Sequence, residues 1–311
     1  MRSSWQESLR RLPETRSRSN GGDPVDPEHS SRESASISRN VPRVVSLTKR
    51  LLDWENPRNR GPRGFIRAIA KRYLGWNRTL LLDPWLRYSI PVRILRSIFG
   101  ERTIRILDVG SGNAGLARFL EKEVIGVDVS FSIDEFVRHR PPLLPVRASA
   151  TMLPFRDRSL EAVVSMDLLE HLPKGDRPRA IAEIFRASRS LVILGFPYGR
   201  SSEDFDREAL IEETRRGGAP DWREEHVSHG LPTEDLHHAV LDEARRRPGT
   251  TVTWRPHEGL LGLRLRWKLA LLVPKSSRLY GPVHYPLYVI HSWHRPRTAY
   301  RRIYEVRFVD N

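Results

Sequence analysis

Five short runs rich in β-branched residues alternate with helical patterns from residue 103 onward, and this alternation constrains the fold more than any other feature. The runs are almost continuously apolar, as are strands buried on both faces of a parallel sheet. They read TIRILDV (103–109), VIGVDV (124–129), LPVRA (144–148), EAVVSM (161–166) and SLVILGF (190–196). Helices are predicted between them at 114–121 and 177–187. The alternation predicts a doubly wound α/β sheet, which binds its ligand beyond the carboxyl ends of the strands.

Two regions precede the predicted sheet. Residues 1–40 hold many serines and scattered charges without apolar periodicity, which predicts a disordered tail. Residues 41–102 form a basic extension in which we expect short N-terminal helices. Asp83-Pro84 and Ser89-Ile90-Pro91 look like two helix starts, because proline is favoured in the first turn. Three basic residues lie beside an apolar stripe of this extension: Arg63, Arg67 and Lys71.

The α/β domain is expected to extend from residue 103 to residue 311. After the fifth strand, the pattern predicts a helix at 233–246 and two further strands at 250–256 and 300–309. Between these strands lies an insertion at about 257–299, in which leucine, tryptophan and tyrosine alternate with arginine and lysine. This composition is typical of interfacial segments and also of a lid over a pocket.

The net charge of +15 is unevenly distributed along the chain. Segment 103–244 is acidic, whereas the segments on either side of it are basic. Basic flanks suit an anionic partner such as lipid headgroups, nucleic acid or a phosphorylated substrate, although surface arginines can also merely solvate a protein. The chain has no cysteine, which excludes disulfides and thiolate metal sites. Since neither a membrane span nor a secretory signal is recognised, we expect a cytoplasmic protein.

A glycine-rich segment, ILDVGSGNAGLARFL (106–120), follows the first predicted strand. Its three glycines have the GxGxxG spacing of dinucleotide-binding loops, and Asp128 follows where such proteins carry a ribose-binding acid. However, Asp108 stands directly before the first glycine pair, where its charge would repel a pyrophosphate. S-adenosylmethionine (SAM) carries an ammonium and a sulfonium, which a carboxylate attracts. The segment therefore favours SAM over a nicotinamide dinucleotide.

Three segments together resemble the class I SAM-dependent methyltransferases, in particular the group with a methyltransferase type 11 domain. LDVGSGNAG resembles the first motif of this family, and GVDVS resembles its second strand with the ribose-binding acid. ASATMLPFRDRSLEAVVSMDLLEHLP resembles its third and fourth strands with the loop between them. The resemblance covers residues 103–256 and extends to the last strand, because the family's seven-stranded sheet ends in an antiparallel hairpin. It implies a Rossmann-like fold, methyl transfer as the activity and SAM as the cofactor.

The resemblance assigns the cofactor site to the loops that follow the strands. Asp128 would hold the ribose hydroxyls and Asp108 a cationic group, although an acid at a strand end can also cap a helix. The family's third glycine position holds Ala114, with Gly115 next to it. Ser149 stands where the family has an acid that binds the adenine amino group, so backbone groups nearby would take part. The predicted cofactor-binding residues are Asp108, Gly110, Ser111, Gly112, Asp128, Ser149, Ala150, Thr151 and Met166.

His171 follows the fourth strand, where the resemblance implies the rim of an active site. We predict that it acts as a general base on an acceptor hydroxyl, although LEHL is also a common helix start. Tyr198, His226 and His229 are predicted to line the acceptor pocket. No metal site is expected, because four nearby histidines show no known metal-ligand spacing: His226, His229, His237 and His238.

The predicted acceptor is a small molecule or a lipid-linked compound, methylated at oxygen. MDLL (166–169) stands where amino-directed DNA methyltransferases carry an Asn/Asp-Pro-Pro-aromatic motif for a flipped base, which disfavours such a base. The insertion at 257–299 suggests peripheral contact with an anionic membrane. Two alternatives stay open: an RNA methyltransferase that binds RNA through the basic flanks, and a non-catalytic binding module that keeps the SAM fold.

Overall fold

A computed structural model describes residues 82–120, 122–132, 143–273 and 298–309. The predicted tail at 1–40, the predicted helices near Arg63 and residues 274–297 of the insertion lie outside the described residues.

Seven strands form one sheet in the order β3-β2-β1-β4-β5-β7-β6. Strands β1 to β5 run parallel, whereas β7 pairs antiparallel with both β5 and β6. This order confirms the doubly wound α/β sheet with a terminal antiparallel hairpin. The strands are β1 (Ile106–Val109), β2 (Val124–Asp128), β3 (Leu143–Arg147), β4 (Leu160–Met166), β5 (Ser188–Pro197), β6 (Thr251–Gly259) and β7 (Ala299–Arg307).

Six α-helices and two 3₁₀ turns lie within the described residues. The helices are α1 (Leu82–Phe99), α2 (Arg177–Ala187), α3 (Arg200–Arg215), α4 (Asp221–His229), α5 (Glu234–Arg245) and α6 (Leu260–Leu272). The 3₁₀ turns are Gly115–Arg118, after β1, and Leu169–His171, after β4. None of the described helices combines the length and the apolar character of a membrane span.

Apolar side chains cover both faces of the sheet, because consecutive residues of a strand point in opposite directions. On one face, Val164 of β4 belongs to a core cluster with Leu86 and Val92 of α1. On the other face, Val163 belongs to a cluster with Ile181 of α2 and Val240 of α5. The sheet is thus enclosed between α1 on one side and the α2–α5 pair on the other.

Helix α1 is continuous through Pro91, so the predicted second helix start at Ser89-Ile90-Pro91 is wrong. A proline inside a helix removes one backbone hydrogen bond and costs about 3 kcal/mol. Trp85, Leu86, Val92 and Leu95 are all buried on this helix. Packing of this face on the sheet outweighs the local penalty, and the first predicted start at Asp83-Pro84 lies in the first turn of α1.

The predicted helix at 114–121 is reduced to a single 3₁₀ turn, Gly115–Arg118. Ala114 has a non-helical φ of −157°, and the N–H of Leu116 donates to Oδ2 of Asp108 at 2.7 Å. Gly115 has a φ of +39°, and any Cβ at this position would overlap the same carboxylate oxygen. The glycine at position 115, rather than 114, therefore makes room for Asp108.

Candidate active site

A cavity of about 540 Å³ opens beyond the carboxyl ends of β1, β2 and β4. One wall is the glycine-rich loop after β1, and the opposite wall contains His171 and Glu225. Arg87 and Tyr88 of α1 form part of the remaining wall. Its volume lies in the range usual for ligand pockets, and its position is where doubly wound sheets bind their ligands.

Six of the nine predicted cofactor residues border this cavity: Gly110, Ser111, Gly112, Asp128, Ser149 and Ala150. Asp108, Thr151 and Met166 are absent from its lining. Met166 is fully buried in the sheet core, while the Thr151 hydroxyl lies 2.8 Å from that of Ser149. The structure therefore places these three residues behind or beside the cavity wall.

The glycine loop leaves room for a ligand and directs an acid toward it. Gly112 has a φ of +52°, and the space that a Cβ would take is open. Oδ2 of Asp128 accepts the N–H of Gly112 at 2.9 Å, and Oδ1 accepts the N–H of Ser130 at 3.2 Å. These bonds fix a carboxylate at the cavity edge at the end of β2, where it can accept hydrogen bonds from ribose hydroxyls. The arrangement fits SAM.

Asp108 is a buried acid that supports the glycine loop from beneath. Its Oδ2 accepts the Leu116 N–H, whereas its Oδ1 has no hydrogen-bond partner of regular geometry among the described residues. Burial raises the pKa of Asp108 to about 7, although hydrogen bonds from Leu116 and Tyr88 act in the opposite direction. Asp108 thus caps the turn that follows, which is the structural role considered from the sequence. Its contact with the cofactor remains a prediction.

His171 borders the cavity, and the buried His226 lies next to it. Their Nε2 atoms are 3.4 Å apart. Nδ1 of His171 lies 2.7 Å from Oε2 of Glu225, and Nδ1 of His226 lies 2.8 Å from Oδ2 of Asp206. Burial lowers the pKa of His171, and the neighbouring His226 lowers it further, while Glu225 raises it. The predicted role of His171 as a general base remains a prediction.

Glu170 is fully buried beside this histidine pair. Its Oε1 lies 3.9 Å from Nε2 of His226, and neither carboxylate oxygen has a hydrogen-bond partner among the described residues. Burial raises the pKa of Glu170 well above its usual value, and the nearby Asp167 adds to this effect. An acid in this setting is neutral unless a cation lies next to it.

A buried ion network closes the cavity behind Asp167. Asp167 lies immediately after β4, with a φ of +52°, and Arg301 of β7 binds both of its carboxylate oxygens at 2.6 Å. Arg87 of α1 binds Asp167 at 2.7 Å. Arg301 also pairs with Glu258, which in turn pairs with Arg266 of α6. The network joins α1, the end of β4 and the β6–β7 hairpin.

None of the three predicted acceptor residues, Tyr198, His226 and His229, borders the cavity. Tyr198, which directly follows β5, donates a hydrogen bond to Glu234, and the Arg302 guanidinium lies 3.5 Å from its ring centroid. His229 ends α4, and its backbone carbonyl accepts a hydrogen bond from Arg177. Of the three predicted acceptor residues, only His226 is brought to His171.

Sequence reasoning placed Glu170 with His171 after the fourth strand, but it missed Glu225 and Asp206 around the histidine pair. The metal-spacing rule compared His226 with the histidines nearest to it in sequence, but its spatial partner is His171, 55 residues away. The motifs that carry the family resemblance end at Pro173, before helix α4, so they gave no information about the opposite wall. The adjacent Glu170 and His171 were the only signal that sequence could offer.

Residues 107–194 match the family model Methyltransf_11, which is described as a methyltransferase domain. The match covers the chain from β1 into β5 and therefore contains the glycine loop, Asp128 and the Glu170-His171 turn. Together with the strand order, it defines a class I SAM-dependent methyltransferase domain. The matched segment is thus a SAM-dependent methyltransferase domain, and SAM is its cofactor. No curated protein matches it by sequence.

Several solved structures are similar to this chain at low identity. One is a methyltransferase from Haloferax volcanii in complex with the Trm112 methyltransferase activator (15% identity, TM-score 0.44, 74% of this chain and 91% of that one). Another is the methyltransferase domain of bacterial CtHen1-C (15%, 0.45, 74% and 100%). A third is phosphoethanolamine N-methyltransferase 2 of Haemonchus contortus with SAM (18%, 0.43, 72% and 53%). Identities this low leave the acceptor of this chain open.

Proposed function

We propose that this protein transfers a methyl group from SAM to a hydroxyl oxygen of a small-molecule or lipid-linked acceptor. One observation carries the proposal: a single cavity joins the glycine loop and Asp128 on one side to the His171 imidazole on the other. The acceptor would lie between them, with its hydroxyl beside His171. Holding acceptor and cofactor in line supplies most of what methyl transfer requires from a protein.

The residues on each side of the cavity have separate tasks. SAM, when bound, supplies a methyl group on a sulfonium; the acceptor oxygen loses its proton and gains the methyl, and the sulfur keeps the electron pair of the broken bond. Asp128 and the glycine loop would position this cofactor. Glu225 orients the His171 ring through Nδ1, which leaves Nε2 to act on the hydroxyl. Arg301 and Arg87 hold the Asp167 carboxylate in place at the cavity wall.

The cofactor half of the proposal is tested by Asp128→Ala. We expect SAM affinity to fall by about 1.5–3 kcal/mol, because a charged hydrogen-bond acceptor is lost at the cavity edge. Isothermal titration calorimetry measures the change, with Asp157→Ala, an exposed acid in the loop before β4, as the matched control. An unchanged dissociation constant would contradict the assignment of Asp128. Micromolar binding of NADH would instead support a nicotinamide-dinucleotide site, which the charge of Asp108 disfavours.

The acceptor half is tested by incubating cell extracts with the protein and SAM carrying a carbon-13 methyl group. Mass spectrometry finds the labelled product, and the chemical shift of the methyl carbon separates O-methyl from N-methyl compounds. Label in RNA would favour the RNA methyltransferase alternative, which also requires binding that weakens steeply with salt. SAM binding without any labelled product would favour the non-catalytic module.

We also propose that the protein is cytoplasmic and contacts an anionic membrane surface through α6. Leu261, Leu265, Lys268 and Leu272 follow one another at helical spacing, and all four are exposed. Leu261 and Leu272 lie about three turns apart on the same face of α6 and are 84% and 72% exposed, which is unusual for leucine. A stripe of leucines with a lysine among them fits the interface between lipid headgroups and acyl chains. Such contact would suit a lipid-linked acceptor.

A further inference from the structure

The turn after β4 and helix α4 bring three potential metal ligands together beside the cavity. They are a carboxylate oxygen of Glu170 and ring nitrogens of His171 and His226, and these atoms all lie within 4.8 Å of one another. Glu170 and His171 are adjacent in the 3₁₀ turn, whereas His226 lies in the second turn of α4. The site therefore exists only in the folded chain.

Hydrogen bonds to carboxylates orient both imidazoles with Nε2 facing inward. Glu225 and Asp206 lie 2.7 Å and 2.8 Å from the two Nδ1 atoms, and an ionised carboxylate can only accept. In neutral rings each Nδ1 therefore carries the hydrogen, and each Nε2 carries a lone pair. The two Nε2 atoms face each other across 3.4 Å. At this distance, the two nitrogen atoms can ligate a single metal ion.

Glu170 brings a third potential ligand atom to the same place. Its side chain is 0% exposed, and both carboxylate oxygens lack a hydrogen-bond partner among the described residues. Oε1 lies 3.9 Å from Nε2 of His226. A buried carboxylate without a partner is strongly disfavoured unless it is neutralised or ligates a cation. This unpartnered acid, aimed at two lone pairs, favours a metal ion over a shared proton.

We propose that Glu170, His171 and His226 bind one divalent first-row transition-metal ion, and that this ion holds the acceptor oxygen. The second half of this inference rests on the proposed function. Two imidazoles and one carboxylate are a common ligand set of catalytic metal sites, and they leave coordination positions open. Tetrahedral ligands about 2.1 Å from a zinc ion lie about 3.4 Å apart, and the observed distance between the two Nε2 atoms is 3.4 Å.

The surroundings match those of metal-binding histidines. Such histidines regularly donate their second N–H to a carboxylate, which fixes the tautomer and the ring orientation. Asp206 is itself held by Arg223 at 3.0 Å and by the Tyr300 hydroxyl at 2.8 Å, so His226 has little freedom to turn away. Since His171 borders the cavity, the open positions would face the acceptor. A hydroxyl bound there would release its proton to water more readily, the oxygen would then take the methyl group from the sulfonium, and Nε2 of His171 would act as a ligand instead of a base.

The test uses Co²⁺, whose visible absorption reports its ligands, added to the full-length protein after treatment with a chelator. We expect saturable binding of one ion per chain and a rise in the thermal unfolding midpoint. Glu170→Gln keeps the side-chain volume, and His226→Asn keeps an N–H for Asp206 but removes Nε2. Each should weaken Co²⁺ binding at least about 100-fold, which is more than the loss of an outer hydrogen bond costs.

His238→Ala is the matched control, because it removes an exposed imidazole of another histidine pair, next to His237 on α5. It should leave Co²⁺ affinity unchanged. Glu225→Gln, which only weakens the orientation of His171, should lower the affinity by about 10-fold to 100-fold. Cooperative thermal unfolding checks that each variant is folded. If a variant of a ligand residue does not fold, the affinity of Glu225→Gln for Co²⁺ still tests the site. Absence of saturable binding in the unmodified protein, or equal losses in Glu170→Gln and His238→Ala, would overturn the site.

SAM affinity and methyl transfer separate this inference from the proposed function. Chelation should leave SAM affinity within about twofold, because none of the three ligands belongs to the glycine loop. It should abolish O-methyl transfer, which Co²⁺ or Mn²⁺ should restore. O-methyl transfer that continues at the same rate after chelation would overturn the role of the metal while the proposed function stands. Stoichiometric metal binding without any methylated hydroxyl would support the site and overturn the proposed function.

Discussion

Asp108 is a buried acid whose charge the folded protein does not easily accommodate. Its carboxylate is 0% exposed, and burial raises its pKa from the usual 3.8 to about 7. Between these two values, the folded state holds a proton that the unfolded chain releases. The free energy of unfolding should therefore decrease as the pH rises from about 4 to about 7, and this contribution should be constant above that range.

Asp108→Asn tests this linkage, because asparagine keeps the acceptor for the Leu116 N–H but does not ionise. We expect the variant to gain about 2–4 kcal/mol of stability relative to the unmodified protein between pH 5 and pH 8, as measured by urea unfolding without SAM. At pH 4 the two proteins should differ little. A constant stability difference across this range would mean that Asp108 stays ionised in the fold.

At the residue scale, the cofactor side of the site could be predicted from the sequence and the opposite side could not. Gly110, Gly112 and Asp128 lie within one continuous motif, whose spacing is set by a strand, a tight turn and the next strand. His226 comes from a helix that the motif does not include, and its place beside His171 depends on how α4 packs. Local spacing carries no information about such a long-range contact.

At the element scale, runs rich in β-branched residues identified all seven strands, and the central strands β1, β4 and β5 are almost continuously apolar because they are buried on both faces. Helices α3 and α4 were not predicted. Helix α4 buries only Arg223 and His226, so it has no apolar stripe to recognise. Pro91 was wrongly predicted to mark a new helix start, because packing of the whole of α1 against the sheet outweighs the local preference of proline for a first turn.

Helix α6 is the element through which we expect the protein to contact a membrane. Arg264 is paired with Glu208 at 2.9 Å and Arg266 with Glu258, so the exposed Lys268 and the leucine stripe carry the prediction. Replacing Leu261, Leu265 and Leu272 together by Ser should lower partitioning onto anionic vesicles at least about tenfold, because less apolar surface leaves water. Vesicle sedimentation at low salt measures the change.

Val309→Ser is the control for this experiment, because Val309 is also exposed (58%) but lies at the end of the chain segment after β7. It should not change partitioning. High salt should release the unmodified protein from anionic vesicles, and neutral vesicles should bind it poorly. If the unmodified protein stays in the supernatant with anionic vesicles, the leucine stripe does not bind lipid.

At the scale of the whole molecule, Arg301 connects parts of the chain that are far apart in sequence. It pairs with Asp167 after β4 and with Glu258 at the end of β6, and both partners have a positive φ, +52° and +64°. Arg301→Met should therefore cost about 3–5 kcal/mol, because two buried carboxylates lose a partner. Urea unfolding measures the loss. Arg307→Met removes a largely exposed arginine from Glu305 on the same strand, and since Glu305 keeps its ion pair with Arg255, the change should cost less than about 1 kcal/mol.

The cavity wall is assembled from stretches that begin well before and end well after the segment that matches the methyltransferase family. Arg87 and Tyr88 come from α1, and Glu225 comes from α4. A fragment trimmed to residues 107–194 would contain the glycine loop but would lack two sides of the enclosure, and it would expose the sheet face that α1 covers. Recombinant fragments intended for crystallisation or for inhibitor screening should therefore begin before Leu82 and continue through the last strand.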